Sequence, residues 1–196
     1  MISTIESRAR SERESDTPGR YRFLPKSEIV DVLRLQPGMT IAELSAGRGD
    51  LVLSISEAIG SEGHAFAVET APELLSCLRE KAEACHNIHV VEAPCHATQI
   101  ATGSCDRVVM VNIWTELSDP IAAMREAARL LGVDGRLILI EWHADAECPQ
   151  APGTRVGLPE MVRLLGENIW DIHRHGDFGP YSYFLEVGVS DESVQS

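Results

Sequence analysis

Two carboxylates and two glycines early in the chain have the types and spacing to hold a nucleoside-bearing ligand. Glu43 lies in a short apolar alternation over residues 40–44. The turn Ser45-Ala46-Gly47-Arg48-Gly49-Asp50 follows, and Leu51, Val52, Ile55, Ala58 and Ile59 then recur at helical spacing. The pattern is a strand, a glycine loop and a helix in succession. Gly47 and Gly49 let backbone approach a ligand and reach angles closed to other residues. The helix points its unpaired N–H groups and positive end at whatever occupies the loop. Glu69 ends a second apolar strand, residues 64–68, twenty positions after Gly49. An acid at that distance is placed to accept both hydroxyls of a ribose.

Two nucleoside cofactors compete for such a site. Dinucleotide binding asks for G-x-G-x-x-G/A, with a small last residue for close helix–strand packing. The frame from Gly47 reads Gly-Arg-Gly-Asp-Leu-Val, and Val52 is too large for that position. The other frame begins at the strand acid and places Glu43, Ser45, Gly47 and Gly49 at alternate positions.

The elements that must position these residues can be read along the chain. Residues 1–17 are a polar segment with alternating charges, residues 18–190 form one domain, and residues 191–196 are a polar tail. Residues 27–33 predict a helix stopped by Gln36-Pro37-Gly38, with Tyr21 and Phe23 either anchoring it or forming a flap over the cofactor. After the second strand, Thr70-Ala71-Pro72-Glu73 predicts a capping box opening a helix that buries Leu74, Leu75, Leu78 and Ala82. A third strand follows over 88–93, and a continuous apolar fourth over 106–113, as a central parallel strand requires. Asp119 caps the next helix, Gly132 closes it, and a fifth strand runs over 136–142. Strands and helices alternate at βαβ spacing, which implies a doubly wound α/β domain with a parallel sheet. The end differs: residues 170–175 and 181–187 alternate with too short a gap for a helix, so they pair antiparallel.

Composition narrows the function classes. The net charge is −13, with eleven bases against twenty-five acids after residue 28, and such a surface repels a phosphate backbone. Nucleic acid is excluded as a partner unless another subunit supplies basic surface. No apolar run approaches eighteen residues and no secretory h-region opens the chain, so a cytoplasmic protein without a membrane span is expected. Five cysteines without framework spacing fit reduced thiols. Cys85, His86, His89, Cys95 and His96 cluster in sequence, yet there is no C-x-x-C and His89 alternates within a strand, so no metal is expected.

The chain from about Ile29 to Val189 resembles the class I S-adenosylmethionine-dependent methyltransferases, in the small bacterial form without an added substrate domain. The Glu43–Gly49 stretch is similar to the family's motif I, [D/E]-x-G-x-G-x-G, with Ser45 at the first glycine. Leu35-Gln36-Pro37-Gly38-Met39-Thr40 looks like its lead-in, Ala67-Val68-Glu69 its second-strand acid, Cys105-Asp106-Arg107-Val108-Val109 the start of its fourth strand, and Arg129 to Leu137 its R-x-L-K-P-G-G-x-L phrase with departures at Gly132, Val133 and Asp134. The resemblance implies a Rossmann-like, mostly parallel seven-stranded sheet ending in an antiparallel hairpin, with the last strand beside the fifth.

It also implies roles. Ser45, Gly47 and Gly49 would line the methionine part through backbone, Glu43 would hold its ammonium group, and Glu69 with Thr70 would bind the ribose. Glu92 would contact the adenine amine with Ala93 beside the ring, and Asn112, Ile113 and Trp114 would lie under the sulfonium and methyl. No N-P-P-[YF] follows the fourth strand, which points away from nucleobase or glutamine amines and toward a small-molecule acceptor. Methyl transfer is an in-line displacement on an activated carbon, so a base is needed only if the acceptor must lose a proton. His143, Glu141 and Glu116 are the candidates for it. The alternatives are an NAD(P)-dependent oxidoreductase and a non-catalytic cofactor-binding member of the fold.

Overall fold

The structure, a computed structural model, describes residue 21 and residues 23–148, 153–167 and 169–190. The polar segment 1–17 and the tail 191–196 lie outside the described residues. The elements run α1 (Lys26–Leu33), β1 (Thr40–Leu44), α2 (Asp50–Ile59), β2 (His64–Glu69), α3 (Pro72–Ala82), β3 (Ile88–Glu92), β4 (Cys105–Val111), α4 (Pro120–Leu130), β5 (Leu131–Trp142), α5 (Leu158–Gly166), β6 (Trp170–Phe178) and β7 (Ser182–Val189).

The seven strands form one sheet in the order β3-β2-β1-β4-β5-β7-β6. The first five are parallel, and β7 runs antiparallel between β5 and β6. This is the doubly wound sheet with a terminal hairpin that the sequence predicts. The order reverses between β1 and β4, and in open α/β sheets ligands bind beyond the strand C-termini at such a reversal. Strand alternation divides the apolar core into two layers. Ile41, Val109 and Ile138 face α1, α2 and α3, while Leu44, Met110 and Leu139 face α4 and α5.

Two local expectations are corrected. The capping box at Thr70 does not form: Ala71 is the N-cap of α3 and makes no side-chain cap bond. The Glu69 carboxylate accepts the N–H groups of Thr70 and Ala71 at 2.8 and 3.0 Å, and the helix opens one residue later than the box requires. Gly132 does not close α4 either. The helix passes at Leu131 directly into extended backbone, and β5 begins there rather than at Arg136. Crowding explains the glycine at 135, where a Cβ would come within 3.0 Å of Leu131, Gly132 and Cys105 atoms.

Candidate active site

The turn after β1 is shaped by backbone angles that side chains rarely adopt. Ser45, Gly47 and Gly49 have φ of 61°, 60° and 80°. The φ of 80° favours glycine at position 49, and a Cβ there would also fall 2.6 Å from Leu78 Cδ1, so that side chain would have to move. Ser45 holds the same left-handed region without being glycine, at a cost of about 1–2 kcal/mol. The departure from motif I is therefore conformationally faithful.

Glu69 ties the turn to the second strand. It is 5% exposed. Its Oε2 accepts the Gly47 N–H at 2.8 Å while Oε1 takes the two N–H groups opening α3. One carboxylate thus joins the glycine turn to a helix N-terminus. Beside it opens a cavity of about 370 Å³ whose lining includes Ser45, Glu69, Thr70, Ala93, Ile113 and Glu116. Leu74, expected in the core, lines this cleft instead.

Glu43 is buried, and its Oε1 accepts the Tyr21 hydroxyl at 3.0 Å. Two residues on, the Phe23 ring meets the Tyr181 ring edge-on at 5.5 Å between centroids. The short strap before α1 therefore reaches from the motif I acid to the turn between β6 and β7. Neither contact was legible in the sequence, where Tyr21 had only its apolar weight to mark it.

At the end of β4, Glu141 from neighbouring β5 organises the backbone. Its Oε1 accepts the N–H groups of Ile113 and Trp114, both at 2.8 Å, and the Asn112 N–H reaches the Ile140 carbonyl at 2.8 Å. Asn112 is held at φ 52°. Its side-chain nitrogen and oxygen are both buried and unpartnered among the described residues. Asparagine is among the few residues other than glycine that adopt this left-handed conformation readily.

The remaining expected residues divide. Glu92 pairs with Arg79 at 2.6 Å on the exposed surface and does not join the lining of the main cleft, whereas Ala93 does. The Trp114 indole packs in the core and lines a small apolar pocket with Ile121, Met124, Leu165 and Trp170. Glu116 is exposed at the cleft rim. His143 follows β5, with Nε2 at 3.3 Å from Asp177 Oδ1 and its ring 5.5 Å from that of Tyr183. In the cysteine–histidine cluster, His89 meets His64 ring to ring, Nε2 to Nδ1 at 3.0 Å, while Cys95 and His96 line the cleft. Burial and the neighbouring His64 lower the pKa of His89.

The loop carrying Ala93, Cys95 and His96 is anchored to α4. Glu126 accepts the Thr98 N–H and hydroxyl, both at 2.7 Å, and pairs with Arg129 at 2.7 Å. The Arg129 hydrogen bonds, with those from Thr98, hold its carboxyl at a pKa of about 2.

Comparison with known proteins fits this geometry. Residues 42–139 match the methyltransferase domain family. The demethylmenaquinone methyltransferase of Thermus thermophilus is 30% identical over 163 residues, covering 82% of this chain and 71% of its own length. The ubiquinone/menaquinone biosynthesis C-methyltransferase UbiE of Shewanella frigidimarina is 26% identical over 127 residues, and the chain spans 50% of its length. Among solved structures, a SAM dependent methyltransferase from Aquifex aeolicus superposes with a TM-score of 0.80 at 20% identity, covering 89% of this chain and 95% of that one. The family match reaches from the strand of Glu43 into the strand of Glu141, the span that builds the cleft, and on that ground this chain belongs to the class I S-adenosylmethionine-dependent methyltransferases.

Proposed function

We propose that the chain transfers a methyl group from S-adenosylmethionine to a small-molecule acceptor. The observation that carries the reading is the Glu69 carboxylate, buried at the end of β2 and bonded to Gly47 N–H in the turn after β1 at 2.8 Å. That bond sets a ribose-binding acid against the turn that faces the methionine part. Bound there, the cofactor supplies an activated methyl on a cationic sulfonium. Glu69 and Thr70 hold the ribose, and Glu43 holds the ammonium group. Ser45, Gly47 and Gly49 line the methionine part, Ala93 lies beside the adenine, and Asn112 and Ile113 floor the reacting centre. Glu92 reaches the adenine amine by leaving Arg79.

Several observations support the rest. The acidic chain, at −13, suits a cationic cofactor and disfavours polyanionic acceptors. No described helix is long and apolar enough to cross a membrane, and all five cysteines are free thiols, which supports a cytoplasmic setting. The names of the Thermus and Shewanella relatives point to quinone-type small molecules as the acceptor class to screen first.

Thermal-shift titration with S-adenosylmethionine, S-adenosylhomocysteine and NAD tests the cofactor. A ligand at about a hundred times its Kd adds roughly 2.7 kcal/mol, several degrees in Tm. The expected result is a shift with the two sulfur ligands that disappears in Glu69→Ala. A shift with NAD alone overturns the reading.

A further inference from the structure

Resting on the methyl-transfer reading, we infer that His143 and Asp177 form the acceptor side of the site. His143 is the base, Asp177 its positioning residue, and the acceptor is an uncharged or cationic molecule whose nucleophile is an O–H or N–H.

The inference starts from where the two residues stand. A cleft of about 460 Å³ opens between the loop after β5 and the turn joining β6 to β7. His143, Asp145, Glu147, Asp177 and Tyr181 line it. It lies on the same sheet edge as the cofactor residues, because Trp142 pairs with Ser182 at the C-terminal end of β5. The strap before α1 touches both: Tyr21 bonds the motif I acid, and Phe23 packs on Tyr181 in the wall of this cleft.

The imidazole is built for a directed role. Backbone bonds hold His143 on both sides: its main-chain N–H donates to the Tyr181 carbonyl and its main-chain carbonyl accepts the Ala146 N–H, at 2.9 and 3.2 Å. The ring packs against Tyr183, whose hydroxyl is spent on the Val156 carbonyl at 2.7 Å. Burial, and secondarily the Glu141 carboxylate, push the Tyr183 phenol up, so it stays a neutral donor. Nε2 lies 3.3 Å from the Asp177 carboxylate, which leaves Nδ1 as the ring nitrogen open to an acceptor. A base requires its lone pair on that nitrogen.

The other candidates lack this arrangement. Glu141 Oε1 is engaged by two backbone N–H groups, and Glu116 lines the cleft beside Ala93, at the adenosine end. In the transfer, Nδ1 takes the proton from the acceptor's heteroatom. The heteroatom's electron pair forms the bond to the methyl carbon, and the pair of the broken C–S bond leaves with sulfur.

Charge defines what enters. Three carboxylates line the cleft, and His143 is the lone basic side chain among its described lining residues. One further base is tied to the loop: Arg155, whose Nη1 donates to the Ala146 carbonyl at 2.7 Å. Carboxylate or phosphate acceptors are repelled here, and an ammonium group is attracted.

A trio of phenols that differ in one terminal group tests this: tyramine, tyrosol and 4-hydroxyphenylacetate. Each is titrated into ¹⁵N-labelled protein with saturating S-adenosylhomocysteine. Shifts are followed at the His143 ring nitrogens and the Gly179 and Tyr181 amides. Tyramine is expected to bind at least tenfold more tightly than 4-hydroxyphenylacetate, with tyrosol between them, and the gap should narrow in 0.5 M salt. Asp177→Asn is expected to redistribute the His143 tautomers and lose most of the tyramine preference, and Asp177→Glu to restore part of it. Equal binding of the three, no change at His143 with any of them, or an unchanged tautomer signal in Asp177→Asn overturns the assignment. Binding of S-adenosylhomocysteine alone, read separately, reports on the cofactor reading, so the two fail independently.

Discussion

The hydroxyl of Tyr21 donates to the buried Glu43 carboxylate at 3.0 Å, across twenty-two positions of sequence. A phenol thus meets the carboxylate proposed to receive the cofactor's ammonium group. The bond is half-buried, and losing such a hydrogen bond to a charged group costs about 1–2 kcal/mol. Tyr21→Phe is therefore expected to lower the Tm of the ligand-free protein by several degrees. Bound S-adenosylmethionine brings a donor of its own, so the stabilisation it confers should be larger in Tyr21→Phe than in the parent. Differential scanning fluorimetry with and without cofactor reads both effects, and an unchanged ligand-free Tm would rule out the coupling.

Glu141 offers a clean separation of support from chemistry. Its carboxylate holds two backbone N–H groups at the end of β4. Glutamine keeps an acceptor oxygen there, so Glu141→Gln is expected to stay within about 1 kcal/mol of the parent and to retain turnover once an acceptor is known. Glu141→Ala strands both donors and should cost about 2–4 kcal/mol in urea unfolding. Loss of turnover in a well-folded Glu141→Gln would instead make this residue the base.

The Glu126 carboxyl, with a pKa of about 2 in the fold and an ordinary value near 4.5, links stability to acid. Because the folded value is depressed, its contribution is complete above pH 4.5 and is lost as the pH falls toward 2. The linked stability is on the order of 2–3 kcal/mol. Urea unfolding at pH 7, 4 and 3 should show a steeper acid loss for the parent than for Glu126→Gln, and parallel curves would refute the assignment. Since Glu126 anchors Thr98, cofactor affinity should weaken over the same range.

Ser45 tests the glycine turn. Glycine reaches φ 61° without strain, so Ser45→Gly is expected to keep both stability and cofactor binding. A β-branched residue is a true outlier there. Ser45→Val should lose about 1–2 kcal/mol and weaken binding of S-adenosylhomocysteine in calorimetry. Equal behaviour of the two variants would mean that the turn relaxes around the substitution.

Much of this was legible in the sequence, for identifiable reasons. Period-two alternation, a continuous apolar run over 106–113 and the helical spacing between strands placed the seven described strands, and the short gap before residue 181 disclosed the hairpin. Glu43, Gly47, Gly49 and Glu69 were legible because a strand, a tight turn and a helix leave few roles for their types. What escaped depends on tertiary contact. Thr70 read as a cap because its type, with a glutamate three positions on, fits the box, whereas the helix opens one residue later behind Ala71. Gly132 read as a helix stop because the chain's entry into β5 is set by pairing with Cys105. Tyr21 was marked only as an anchor or a flap and Asp177 not at all, since each meets its partner only after the sheet has assembled.

The place of β7 has a consequence for synthesis. The last described strand, β7, lies between β5 and β6 and gives β5 its neighbour on that side. While the polypeptide emerges, the edge of β5, with Leu137, Leu139 and Ile140 on its two faces, stays open until residues 182–189 arrive. The five parallel strands can assemble first, and the hairpin that brings Asp177 to His143 docks last. A nascent chain halted before residue 182 would hold most of the cofactor residues, yet expose an edge ready to pair with another copy.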